Sequence, residues 1–227
     1  MIFQRTSSNP SSTTFDNTSR VFAPSILQMI LSNTGRAVLD IDTADGYKLR
    51  RIIEGSNGCI ERVTALEPSP LYQQAVEELK PCNARVGVKQ ISLEEYQPRL
   101  QYDTALLFEV LEHVPPKERI SFITRIKSLL KPDGTLILST PNRPVYRAKC
   151  WFSGEQPDST HLREYSFQEL RTFLAPHFNF LSFHGRFPWM GLLRRFPKLY
   201  EVTPRIPPWL SHGMFVIASD SREGLLS

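Results

Sequence analysis

Three observations predict an α/β fold with a mostly parallel sheet. Strand-like and helix-like runs alternate along the chain from residue 23 onward. Several strand-like runs are short and continuously apolar, as strands covered on both faces are. The chain of 227 residues, 41% of them hydrophobic, shows no internal repeat and no obvious linker, which fits one domain with a sizeable core.

In order, Ala23–Ser32 reads as a first helix. Pro24 sits in its first turn, and Ile26, Leu27, Ile30 and Leu31 share one face. Arg36–Ile41 is a buried strand, Asp42–Gly46 a turn, and Tyr47–Glu54 a helix that Gly55 ends. Arg62–Leu66 is a second strand, Leu71–Leu79 a helix, Arg85–Lys89 a third strand and Thr104–Phe108 a fourth. Arg119–Leu130 carries Ile120, Ile123, Ile126 and Leu130 at helical spacing, and Lys131-Pro132-Asp133-Gly134 stops it. Thr135–Ser139 is a fifth strand. Ser166–Leu174 opens with Ser166 and Glu169 in capping-box spacing, and Phe178–Phe183 and Met214–Ser219 are the last two strands.

Two stretches fall outside this alternation. Residues 1–22, rich in Ser, Thr and Asn, read as a flexible lead-in with no signal-peptide core, ahead of a single domain over 23–227. Residues 184–212 hold five prolines among Phe187, Trp189, Phe196, Tyr200 and Trp209. They read as an insertion: packed on the core, covering a substrate as a lid, or, with Arg186, Arg194, Arg195 and Lys198, touching a membrane surface peripherally.

Composition narrows the function. A net charge of +4 and a pI near 9.0, with no Lys/Arg block, give no strong nucleic-acid signal. Cys59, Cys82 and Cys150 form no CxxC pair, so neither a disulfide framework nor a structural zinc site is expected. No apolar run reaches the ~20 residues of a spanning helix. A cytoplasmic location is the expectation, and oligomeric state is not readable. His177, His184 and His212 have no partner at a telling spacing and are assigned no chemistry.

Ligands of open parallel sheets bind beyond the carboxyl ends of the strands. The first strand runs into Asp40-Ile41-Asp42-Thr43-Ala44-Asp45-Gly46, and the second into Glu67-Pro68. An acidic residue there suits the two hydroxyls of a ribose. A dinucleotide needs a Gly-rich first turn for its pyrophosphate. This turn has one glycine and three aspartates, which repel phosphate and favour a cationic ligand. A nicotinamide-dependent oxidoreductase is therefore disfavoured.

Four segments in order, Val38–Tyr47 (VLDIDTADGY), Thr64–Ser69 (TALEPS), Tyr102–Val114 (YDTALLFEVLEHV) and Leu130–Asn142 (LKPDGTLILSTPN), with His161–Leu170 (HLREYSFQEL), resemble the class I S-adenosylmethionine-dependent methyltransferases. The resemblance implies a Rossmann-like seven-stranded sheet, its last strand antiparallel, with helices on both faces. It implies methyl transfer from S-adenosylmethionine, whose sulfonium and ammonium suit the acidic turn. Carried over by position, Asp40, Asp45 and Gly46 line the methionine end, Glu67 holds the ribose, Ser92 and Leu93 lie at the adenine, and Phe108 and Glu109 lie beside the cofactor. The family usually has glycine where this chain has Asp42 and Ala44. A Cβ takes up room at both, while the Asp42 carboxylate could answer the ammonium.

Glu109, Glu112 and His113 follow the fourth strand, with Glu109 and Glu112 spaced i, i+3. With His161 they form a candidate site for a magnesium- or zinc-like ion that would activate an acceptor hydroxyl. The E-x-x-E-H pattern is similar to ubiquinone-biosynthesis O-methyltransferases and to small-RNA 3′-terminal 2′-O-methyltransferases, and in the latter His161 matches a later ligand. Asn142-Arg143-Pro144 departs from the RNA enzymes. Without metal, His113 is a candidate base and Glu112 its partner. The expected reaction is O-methylation of a small-molecule, lipid or glycan-type acceptor with an apolar portion. The alternative is a non-catalytic methyltransferase-like protein with a degenerate cofactor loop.

Overall fold

The computed structural model describes residues 22–186 and 207–221. Residues 1–21 of the expected lead-in and 187–206 of the expected insertion lie outside the described residues. Seven strands form one sheet: β1 (Ala37–Ile41), β2 (Arg62–Leu66), β3 (Arg85–Lys89), β4 (Tyr102–Phe108), β5 (Leu130–Pro141), β6 (Phe180–Arg186) and β7 (Gly213–Ser219). Their order is β3-β2-β1-β4-β5-β7-β6. The first five run parallel, and β7 runs antiparallel between β5 and β6. This is the Rossmann-like sheet that the resemblance implies.

Both faces are covered, so the central strands are apolar throughout. Ala37, Leu39 and Ile41 of β1 join one core cluster with Leu107, Leu138, Ile123 and Ile126 of α4 (Arg119–Leu129), and Leu170 and Leu174 of α6 (Phe167–Leu174). Val38 belongs to the opposite cluster with Leu106, Ile137, α1 (Pro24–Ser32), α2 (Tyr47–Gly55) and α3 (Tyr72–Leu79). The alternation follows from the two-residue period of a strand. Among the described residues, no helix is long and apolar enough to cross a membrane.

Beyond shifts of about two residues at strand ends, sequence and structure differ in four places. Phe22, placed in the lead-in, packs edge-on against Phe108 and Phe215, 5.4 and 6.1 Å between ring centroids. β6 extends to Arg186, pairing His184 with Phe215, so the insertion cannot begin at 184. β5 begins at Leu130, where Tyr102 pairs with it. A helix over Arg143–Ser153, α5, was not expected. It has helix punctuation, with Asn142 before it, Pro144 in its first turn and a left-handed Gly154 after it. It buries little, because Trp151 is 77% and Phe152 60% exposed, leaving Cys150 as its buried residue.

Candidate functional site

The strand order reverses between β1 and β4, and the site is built on the carboxyl ends there. A broad cleft of about 1560 Å³ lies at the opposite, amino-terminal end of the strands, around Arg36, Asp103 and Lys131. None of the candidate cofactor, catalytic or metal-binding residues lines it.

The β1–α2 loop keeps a glycine-type backbone without the glycines. Asp42 (φ 57°) and Ala44 (φ 54°) both take the left-handed conformation, as does Gly46 (φ 83°). Such torsions strain residues with a Cβ. Gly46 is needed for a second reason: a Cβ there would meet the Ala75 Cα of α3 at 3.2 Å. The Asp45 carboxylate accepts the Tyr47 N–H at 3.1 Å, so it serves the start of α2. Asp40 is buried and accepts the Thr43 hydroxyl. Burial pushes its pKa up to about 7. The Thr43 hydrogen bond and Lys48 pull the other way, while Glu67 and Asp42 add to the rise.

Glu67 is only 3% exposed. Its Oε2 accepts the Ala44 N–H at 2.6 Å and its Oε1 the Ser69 N–H at 2.9 Å. The carboxylate thereby ties the first loop to the end of β2, and each oxygen retains capacity for a further donor. Leu93 is a buried core residue, whereas Ser92 opens a turn in which its N–H donates to Glu95 Oε2 at 3.0 Å. The Phe108 ring sits in the Phe22–Phe215 aromatic group. Glu109 is left-handed (φ 58°) and pinned to β5. Its N–H donates to the Ser139 carbonyl at 3.0 Å, and the Ser139 hydroxyl donates to its carboxylate at 2.6 Å.

Of the four expected metal ligands, three come together. One donor atom each of Glu112, His113 and His161 lies within 4.8 Å of the others. Glu109 is not among them. Glu112 and His113 sit on a 3-10 turn over Leu111–His113, and the Glu112 carboxylate accepts the Thr140 hydroxyl of β5 at 3.1 Å. The Glu112 carbonyl accepts the N–H groups of Leu162 (2.9 Å) and Arg163 (3.1 Å), drawing the His161 segment alongside. His113 Nδ1 donates to the Thr160 carbonyl at 3.0 Å, and His161 Nδ1 faces Glu164 Oε1 at 3.2 Å. With an oxygen acceptor at each Nδ1, the lone pair of a neutral ring sits on Nε2.

The sequence did not reveal the surroundings of this cluster. Tyr146 of α5 lies 5.5 Å from His161 and 5.6 Å from His212 between ring centroids. Its hydroxyl accepts the Asp158 N–H at 2.9 Å, and burial pushes its pKa up to about 12. Asp158 stands 3.8 Å from His161 Nε2, and Arg147 donates to the buried Glu164 at 3.0 Å. His212, assigned no chemistry above, thus borders the cluster. Apart from Asp158 and His161, three positions apart, these contacts join residues 12 to 66 positions apart, and no local spacing announces them.

The model of a family described as a methyltransferase domain matches residues 15–180. The chain belongs to that family. Its fold is that of the class I S-adenosylmethionine-dependent methyltransferases. Among curated relatives, the tRNA U34 carboxymethyltransferase of Idiomarina loihiensis is 30% identical over 112 residues, covering 47% of this chain and 33% of that protein. Its counterpart in Histophilus somni (strain 2336) is 31% identical over 109 residues, covering 46% and 32%. The chain spans about a third of the length of these relatives. The solved small RNA methyltransferase HEN1 superposes with a TM-score of 0.66 at 16% identity, over 89% of this chain and 25% of that one. The Burkholderia thailandensis 1,6-didemethyltoxoflavin-N1-methyltransferase, solved with S-adenosylhomocysteine, gives 0.59 at 22% identity, over 90% and 79%. These likenesses concern the fold.

The residues fit S-adenosylmethionine. Asp40 carries a desolvation penalty that a bound cation would offset. Glu67 has acceptor capacity for hydroxyl donors, and the loop holds the backbone shape that glycine would give.

Proposed function

We propose that this methyltransferase methylates an oxygen of an acceptor held against Glu112, His113 and His161. The observation that carries the reading is the convergence of these three groups after the carboxyl end of β4, the parallel neighbour of the strand that runs into the acidic β1–α2 loop. S-adenosylmethionine, when bound, supplies an electrophilic methyl group. Asp40, Asp42, Glu67, Ser92, Leu93, Phe108 and Glu109 surround it in this reading, with Asp45 and Gly46 shaping the loop. The protein's part is orientation of the acceptor and removal of its proton.

Two routes suit that proton. Two imidazoles and a carboxylate are a donor set for a zinc-like ion, and magnesium is the harder-ligand alternative. Glu164 at His161 Nδ1 and the Thr160 carbonyl at His113 Nδ1 are the outer partners such a site uses to orient its ligands. In the metal-free route the acceptor proton passes to His113 Nε2, with Glu112 beside it.

The acceptor we favour is a small or medium molecule with an apolar portion, in keeping with the aromatic residues of the 184–212 stretch. RNA is the second reading, favoured by relatives named for tRNA and small RNA. The test incubates the full chain and labelled S-adenosylmethionine with small-molecule and RNA extracts from a deletion strain, with and without chelator. Label should enter one fraction in an alkali-stable or ester bond to oxygen, and Glu112→Gln should cut it at least roughly tenfold. Activity that resists chelation leaves His113 as the base. Label found on nitrogen or carbon contradicts the reading.

A further inference from the structure

A groove of about 430 Å³ opens between the start of α4 and α6, lined in part by Pro116, Arg119, Ile120, Arg163, Tyr165 and Phe173. Arg119 is only 2% exposed. Its Nε donates to the Val114 carbonyl at 2.8 Å, and its guanidinium lies 5.3 Å from the centre of the Tyr165 ring. Nη1 and Nη2 are buried with no hydrogen-bond partner among the described residues. The Arg163 guanidinium lies 5.4 Å from the same ring. Two like charges thus share one aromatic ring, and one of them is desolvated with two unmet donors. Burial pushes the Arg119 pKa down from its ordinary value, and Arg163 pushes it further. Tyr165 and Glu112 pull it back.

Glu169 is the acidic residue of the groove, and it is committed elsewhere. It accepts the Ser166 N–H at 2.8 Å, the Ser166 hydroxyl at 2.7 Å and Arg143 at 3.0 Å. Against the upward push of burial, these bonds hold its pKa at about 2. Its contact with Arg163 is long, 3.6 Å. With Glu169 held mainly by Arg143, the groove lining sets two arginines, Arg119 and Arg163, against one carboxylate already engaged. A buried cation with unmet donors is costly, and an anion is what offsets it. The walls add apolar and planar surface from Pro116, Ile120, Tyr165 and Phe173. Ile120, 65% exposed, stands at the rim, so long side chains separate solvent from the buried Arg119.

We infer that this groove is an anion-binding site for the carboxylate or phosphate of a ligand that also carries an apolar or planar portion. It adjoins the candidate catalytic cluster through the Arg163 N–H bond to the Glu112 carbonyl. The inference does not rest on the methyl-transfer reading, because its test needs neither cofactor nor acceptor.

Phenyl phosphate, benzoate and neutral benzyl alcohol are titrated into the full chain at constant ionic strength. Binding is followed by the arginine Nε–H resonances and by thermal melting. Inorganic phosphate and acetate separate the anion from the ring. The expected result is saturable binding of phenyl phosphate or benzoate, with a dissociation constant on the order of 1 mM, and none of benzyl alcohol. The phosphate and carboxylate arms identify which anion is preferred. Arg119→Met should weaken binding roughly tenfold while melting no lower than wild type, since it removes a charge left unmet. Arg163→Met, at a half-exposed position, should weaken binding several-fold. No saturable response to either aromatic anion, or equal affinity in Arg119→Met, overturns the assignment. If Arg119→Met does not fold, unchanged affinity in both Arg119→Lys and Arg163→Met overturns it.

Discussion

Asp40 shows at the scale of one residue how the site trades stability for charge. Its folded pKa of about 7 lies above the ordinary 3.8, chiefly through burial, with Thr43 and Lys48 opposing and Glu67 and Asp42 reinforcing. Between those two pH values the folded chain holds a proton that the unfolded chain has released. Its stability contribution is therefore fullest below about pH 4 and is lost as pH rises through 7. Asp40→Asn cannot ionise and still offers an oxygen to Thr43. At pH 8 the variant should be more stable than wild type by a few kcal/mol, and the gain should vanish toward pH 4. Denaturation across pH measures this. A gain that is flat with pH would place the Asp40 pKa near its ordinary value.

Among the elements, the β1–α2 loop decides whether the chain keeps its cofactor site. Two glycines usual for the family are absent there, and Asp42 and Ala44 hold left-handed torsions in their place. The loop is kept in place by the Ala44 N–H bond to Glu67 and the Thr43 N–H bond to Leu66. Ala44→Gly should relieve strain and stabilise the fold by about 1 kcal/mol in chemical denaturation. Asp42→Gly should do less, because aspartate tolerates this region better. A loss of stability in Ala44→Gly would mean that the left-handed torsion is not held in solution. Most elements were legible because burial on both faces writes continuous apolar runs and because Ser166 and Glu169 form the capping box that their spacing announces. α5 was not, since RPVYRAKCWFS is rich in basic and aromatic residues and offers no aliphatic stripe, and only Cys150 is buried. The Glu112–His113 pair was legible from local spacing, whereas Tyr146, His212 and Arg119 acquire their neighbours only through tertiary folding.

Over the whole molecule, the sheet order, the acidic first loop, the buried Glu67 and the Glu112–His113–His161 cluster all meet at one edge. An anion-seeking groove adjoins that edge behind the Leu111–His113 turn. S-adenosylmethionine would occupy that edge. Calorimetric titration of the cofactor into the full chain at pH 8 is the direct measurement, with Glu67→Ala beside wild type. Wild type should bind saturably with a dissociation constant on the order of 1–100 μM. Glu67→Ala should bind at least about tenfold more weakly, through lost hydroxyl contacts and a loosened loop. It should also melt lower, because the Ala44 and Ser69 N–H groups lose their acceptor. Absence of both heat and thermal shift at about 1 mM cofactor would contradict the account and leave the fold serving a purpose other than methyl transfer.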